Sequence, residues 1–178
     1  MDFFEAVKKR YSYRGEFSEQ EIPRKDLIKI VQSGLDAPSG KNLQTTEFVI
    51  VDDINILSKI KIILPDSKVL QTCKALIICI IDSEPEKIYH GTHFQIEDCS
   101  AAVENILLAI TAMNYASVWL DGVLRIDGRA NKIGEIIGLP KSKKVQIILP
   151  VGIPTETTIR REKKTFNERV GFNIYNFE

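Results

Sequence analysis

The sequence predicts an α+β layered domain, and three observations carry that prediction. The stretch from Thr92 to Gly122 contains a helix that is apolar nearly all round. Cys99, Ala101, Ala102, Val103, Ile106, Leu107, Leu108, Ala109, Ile110, Ala112 and Met113 leave only a thin polar stripe through Ser100, Glu104 and Thr111, and such a helix is covered on nearly all sides. The run from Ala75 to Ile81 (ALIICII) is continuously apolar and mostly β-branched, which reads as a central strand. Helical and extended patterns alternate along the chain without strict βαβ regularity, favouring α+β over a doubly wound sheet.

In chain order, Asp2 and Glu5 have capping-box spacing and Phe3, Phe4 and Val7 share a face, so residues 2–9 form a short helix. Pro23 opens a second helix, with Leu27, Ile30, Val31 and Leu35 at helical spacing before Gly34 and Pro38 interrupt it. A strand from Glu47 to Val51 precedes a helix capped by Asp52-Asp53 and running to about Ile63. Thr92 and Gln95 repeat the capping box and start the long helix. After Asn114 a strand runs from Ala116 to Leu120 and stops at Asp121-Gly122, where a glycine lets another group approach the backbone. A helix over 130–139 and a strand over 145–149 follow. The tail from Thr155 is polar, with aromatics at no clean period, and lies across its own domain or a second copy of it.

At 178 residues the chain fits one domain with a real core. Lys plus Arg equals Asp plus Glu at 24 each, so no net field draws it to nucleic acid or an anionic membrane, and any anion site is local. The three cysteines include no C-x-x-C pair and read as core thiols of a cytoplasmic protein. No apolar run reaches membrane-spanning length. His90 and His93 lack further ligands at zinc-like spacing and read as surface residues, so no metal site is expected. Neither a dinucleotide fingerprint nor a P-loop is present.

Two stretches carry candidate ligand chemistry. In the basic loop after the first helix, Arg10, Ser12 and Arg14 alternate, so an extended backbone projects two guanidiniums and a hydroxyl to one side, where they suit a phosphate or carboxylate. The plainer alternative is a solvated basic turn. The loop Asp36–Gln44 is rich in turn formers and short polar side chains in front of a strand. Arg160, Arg161, Lys163 and Lys164 form a second basic cluster.

The order of these pieces resembles the FMN-dependent nitroreductase family over nearly the whole chain, from about Glu5 to Arg169. The motifs are R-x-S-x-R after the first helix, A-P-S-x-x-N-x-Q before a strand, E-D-x-x-A-A opening the buried helix, W-x-D-G after it, then P-V-G-x-P and a basic tail. The resemblance implies a three-layer α/β/α sandwich with a mixed, mainly antiparallel sheet in an intertwined homodimer. Residues 1–154 would form the flavin domain and residues 155–178 an extension wrapping the partner. It also implies FMN as cofactor, with NAD(P)H and a small electron acceptor as substrates. Arg10 and Ser12, joined by Arg161 and Lys163, would take the phosphate. Arg14 would take the pyrimidine edge, and Tyr11 lies among them. Pro38, Ser39, Gly40, Asn42 and Gln44 would come from the neighbouring subunit. The backbone of Asp121 and Gly122 would lie beside the flavin N5. Thr45 stands where the family usually has proline, and Tyr11 where a second arginine is common. Three other readings are an FMN-binding redox or regulatory module without rapid turnover, a superfamily variant with dehalogenase or dehydrogenase chemistry, and a nucleic-acid or acidic-ligand binder using the basic clusters, which the zero net charge disfavours.

Overall fold

The computed structural model describes residues 1–157 and 161–177. Four strands form one sheet in the order β1-β2-β4-β3: β1 Glu47–Val51, β2 Ala75–Asp82, β3 Ala116–Ser117 and β4 Lys143–Gly152. Every pairing among them is antiparallel, so the parallel component of the expected mixed sheet does not occur among the described residues. The helices are α1 Phe3–Lys9, α2 Arg24–Leu35, α3 Ile54–Ile63, α4 Lys68–Thr72, α5 Gln95–Ala112 and α6 Arg129–Ile136.

The central strand β2 explains the apolar run that encodes it. Its side chains alternate between two hydrophobic clusters, as the period of two in a strand requires. Leu76, Ile78 and Ile80 join residues of α3, α4 and α6, while Ala75, Ile77, Cys79 and Ile81 join residues of α2 and α5. Both faces are covered, so neither tolerates a polar residue. A register shift opposite Cys79 and Ile80 leaves Gln146 of β4 without a partner. Such a bulge resets which face the following residues meet, and Val145 accordingly packs with the first cluster while Ile147 packs with the second. At the end of the sheet Lys143 Nζ lies 2.8 Å from both Glu47 and Asp82, joining β1, β2 and β4. Its hydrogen bonds, first to Asp82 and then to Glu47, raise its ammonium above the ordinary lysine range.

Several sequence expectations need correction. Helix α5 starts at Gln95 with Phe94 as its cap, not at Thr92. The Thr92 hydroxyl is spent on Tyr89 O (2.6 Å) within a tight turn, and Gln95 is buried, its side chain exchanging hydrogen bonds with the backbone of Asp82. The strand expected over 116–120 shrinks to Ala116–Ser117 plus an isolated bridge from Leu120 to Ile148. Helix α6 ends at Ile136 because Gly138 reverses the chain with φ of 72°. The Asp2 carboxylate does cap α1 at Glu5 N (2.9 Å), but Glu5 turns to Lys9 (2.6 Å) and does not reach back. Helix α4 is an addition, too short to show a period. The three cysteines are buried, as expected. Among the described residues no helix is long and apolar enough to cross a membrane.

Candidate functional site

Helix α1 ends at Lys9, and Arg10 caps it through its N–H to Ala6 O (2.8 Å) before the backbone turns extended. Tyr13 then anchors the strip. It is fully buried, its N–H bonds Ser117 O (2.9 Å), and its hydroxyl donates to Glu16 O and accepts from Thr155 N (3.3 Å). With Tyr13 turned inward, alternation sends its neighbours Ser12 and Arg14 the other way. Arg14 is exposed, its guanidinium 3.3 Å from Ser12 O. Tyr11 is half-buried and meets Tyr13 edge-on at 6.3 Å. Arg10 reaches Glu104 of α5, Nε to Oε1 at 3.1 Å, and no other carboxylate pairs with it among the described residues.

Arg10 and Tyr11 border a cavity of about 260 Å3 together with Lys9, Thr111 and Ser117. Ser117 is almost wholly buried, and its hydroxyl has no hydrogen-bond partner among the described residues. An orphaned polar atom of this kind costs on the order of 1–3 kcal/mol unless something satisfies it.

The loop before β1 is held in a conformation that its residues do not favour. Lys41, Asn42 and Gln44 have φ of 50°, 57° and 52° around a single 3-10 turn, Gly40–Asn42. Left-handed backbone at non-glycine positions costs roughly 1–3 kcal/mol each and persists where the surroundings enforce it. Here they do. Ser39 Oγ accepts from Gln44 N (2.9 Å), and Asp98 Oδ1 accepts from Gly40 N (2.8 Å). A β-carbon on Gly40 would lie 2.8 Å from the Phe94 ring, so only glycine lets the loop approach α5 this closely. Gln44 borders a second cavity, of about 270 Å3, with Asp82, His93 and Asp98.

Beyond β3, Leu120 and Ile148 exchange backbone hydrogen bonds at 3.1 and 2.9 Å. The chain then leaves the sheet. Asp121 pairs with Arg125 (3.0 Å), and Gly122 starts a 3-10 turn, Gly122–Leu124. Gly122 is exposed, nothing lies within 4 Å of where its β-carbon would be, and no acceptor among the described residues takes its N–H.

Within one chain the expected residues therefore fall into separate groups. Arg10 and Tyr11 border one cavity and Gln44 the other. Arg161 and Lys163 are exposed and border neither, and Arg160 lies outside the described residues. Sequence reasoning gave no role to Glu104, Ser117 or Asp98. An acid in the first turn of an otherwise apolar helix was the available signal for Asp98, but its partners are 53 and 58 residues away.

The model of the nitroreductase family matches residues 7–68 and 74–153, most of the chain. The chain belongs to the nitroreductase family. Among relatives of this nitroreductase-family chain, a provisionally named NADH dehydrogenase/NAD(P)H nitroreductase of Methanothermobacter thermautotrophicus is 30% identical over 162 residues. These residues make up 91% of this chain and 82% of that protein. The structure of an FMN-dependent nitroreductase from Clostridium difficile R20291 superimposes with a TM-score of 0.80 at 27% identity, covering 96% of this chain and 98% of the other. An NADPH:FMN oxidoreductase from Vibrio harveyi, determined with NAD+ bound, shares the fold at 21% identity with a TM-score of 0.82, over 98% of this chain and 78% of its own.

Proposed function

We propose that this chain is an FMN-dependent oxidoreductase that passes hydride from NAD(P)H to a small acceptor such as a nitroaromatic or a quinone. The observation that carries this reading is the uncommitted N–H of Gly122, on open backbone just past the Leu120–Ile148 bridge. A fixed, unpaired donor suits a centre that gains electron density during reaction. The residues fit the cofactor elsewhere too. Arg10 keeps its terminal nitrogens for an anion, and the Ser12 hydroxyl bonds nothing among the described residues. The orphaned Ser117 hydroxyl asks for a partner beside Arg10.

Bound FMN supplies the two-electron carrier between the nicotinamide and the acceptor. The chain supplies position and charge. Arg10 and Ser12, joined by Arg161 and Lys163 of the tail, would hold the phosphate through charge-assisted bonds. Arg14 would stabilise negative charge at the pyrimidine edge, and Gly122, preceded by Asp121, would offer its N–H to the ring nitrogen that takes the hydride. On this reading nicotinamide and acceptor would use the site in turn, a ping-pong order.

The same reading makes the site a product of two subunits in a three-layer α/β/α homodimer. Phe3, Phe4 and Val7 of α1 stand exposed, as do Phe166, Phe172 and Tyr175 of the tail. On α5, Ala101, Leu108 and Ala112 are only half-buried, although the helix is apolar nearly all round. A second copy would cover these surfaces, with residues 155–178 wrapping it. Pro38, Ser39, Gly40, Asn42 and Gln44 would then serve the neighbouring flavin, in keeping with the separation of Gln44 from the Arg10 cavity.

The test is the visible spectrum of the purified protein supplied with FMN, followed by anaerobic mixing with NADH or NADPH. Yellow protein that bleaches within seconds supports the reading. Yellow protein that bleaches only over many minutes favours a regulatory flavin module, and colourless protein overturns the assignment.

A further inference from the structure

We infer that Asp98 is a positioning residue for the flavin loop. It clamps both ends of the 39–45 segment and sets that loop's conformation without touching the cofactor itself. The inference rests on the flavin reading above, but its observations are independent of it. Asp98 is only 8% exposed, in the first turn of α5. One carboxylate oxygen accepts the Gly40 N–H at 2.8 Å, near the start of the loop, and the other faces the Thr45 hydroxyl at 3.3 Å, at its end. Between those anchors lie all three left-handed residues of the loop, Lys41, Asn42 and Gln44.

A carboxylate suits the task because it only accepts, has two oxygens, and therefore takes a donor from each end of the loop at once. Its location favours the charge as well, since helix N-termini stabilise anions. The other ties, Ser39 Oγ to Gln44 N and Lys41 Nζ to Ile88 O (2.5 Å), involve a half-buried serine and an exposed lysine. Asp98 is the buried one. Helix α5 also carries Glu104, which holds Arg10 at 3.1 Å. The six-residue offset from Asp98 to Glu104 spans about 9 Å at 1.5 Å per residue. One rigid helix thus holds a phosphate-binding arginine and, through Asp98, the loop offered to the flavin of the neighbouring subunit.

Three variants test this: Asp98→Ala removes both acceptors, Asp98→Asn keeps the shape without the charge, and Thr45→Val removes one donor and leaves Asp98 intact. Two readouts are taken. The first is amide hydrogen exchange across residues 39–45 in the apoprotein, and the second is FMN affinity by fluorescence titration together with the flavin visible circular dichroism. Loss of the clamp should speed exchange at Gly40 and Gln44 by about tenfold or more in Asp98→Ala, and weaken FMN by a similar factor. Asp98→Asn and Thr45→Val should shift both in the same direction by a few-fold. A purely structural role would lower thermal stability while the folded fraction keeps wild-type FMN affinity and dichroism, and that result overturns the proposal. Should Asp98→Ala fail to fold, unchanged exchange and unchanged FMN affinity in the other two variants overturn it equally. Wild-type protein that takes up no flavin sinks the flavin reading instead, and the exchange data then score the clamp alone.

Discussion

Arg10 Nε lies 3.1 Å from Glu104 Oε1, joining the end of α1 to the polar stripe of an otherwise apolar helix. Half of the Glu104 side chain is exposed, so this pair contributes only about 0–1 kcal/mol to folding. Its value is orientation. Arg10→Ala should therefore leave the melting temperature within a few degrees of wild type and weaken FMN binding by roughly tenfold to a hundredfold, the worth of a charge-assisted bond. Fluorescence titration beside a thermal melt checks both halves of the statement.

Arg14 separates binding from chemistry. It is exposed, and its one hydrogen bond among the described residues, to Ser12 O, is long at 3.3 Å, so the free protein spends little on it. Arg14→Met should slow anaerobic flavin reduction by roughly tenfold or more while changing FMN affinity by a smaller factor. Stopped-flow reduction at the wild-type rate would refute the assignment.

Gly152, in the last pair of β4, lies against Phe17. A β-carbon there would sit 2.7 Å from Phe17 Cβ and closer still to its ring. Phe17 is fixed in turn by its N–H to Thr72 Oγ1 (2.9 Å) and by a bridge to Pro154. Gly152→Ala should cost about 1–3 kcal/mol by overpacking, measured as a lower urea midpoint at unchanged slope.

Tyr115 donates to Asp26 Oδ2 at 2.7 Å, tying the end of α5 to the start of α2. Burial first, and the Asp26 carboxylate second, push its phenol up to about 12. An unfolded tyrosine titrates near about 10. The native state thus holds the proton more tightly, and the stabilisation is complete below about pH 10 and lost as pH rises from about 10 to about 12. Tyr115→Phe should remove that slope and cost about 0.5–1.5 kcal/mol at neutral pH. Denaturant melts across the alkaline range measure both.

Periodicity made much of the fold legible. The apolar run from Ala75 to Ile81 announced a strand covered on both faces, and Asp53 announced the start of α3, where its carboxylate accepts from Asn55 and Ile56. Local signatures failed where a distant partner outbid them. Gln95 had the right spacing from Thr92 but is drawn to the Asp82 backbone, so the helix starts later. The bulge that turns Val145 to the opposite face from Ile147 leaves no trace in the sequence, because the polar Gln146 between them reads as ordinary strand alternation. The basic candidates could be named because charge is visible one residue at a time. The Asp98 contact to Gly40 joins positions 58 residues apart, and only the folded backbone brings them together.

The central claim is that one flavin site is assembled from two subunits. Sedimentation velocity followed at the visible absorbance of bound FMN tests it most directly. The account predicts that all the yellow colour sediments with the dimer and that dilution into monomer releases the flavin. Colour that travels with a stable monomer, or a dimer that stays colourless in excess FMN, would contradict it.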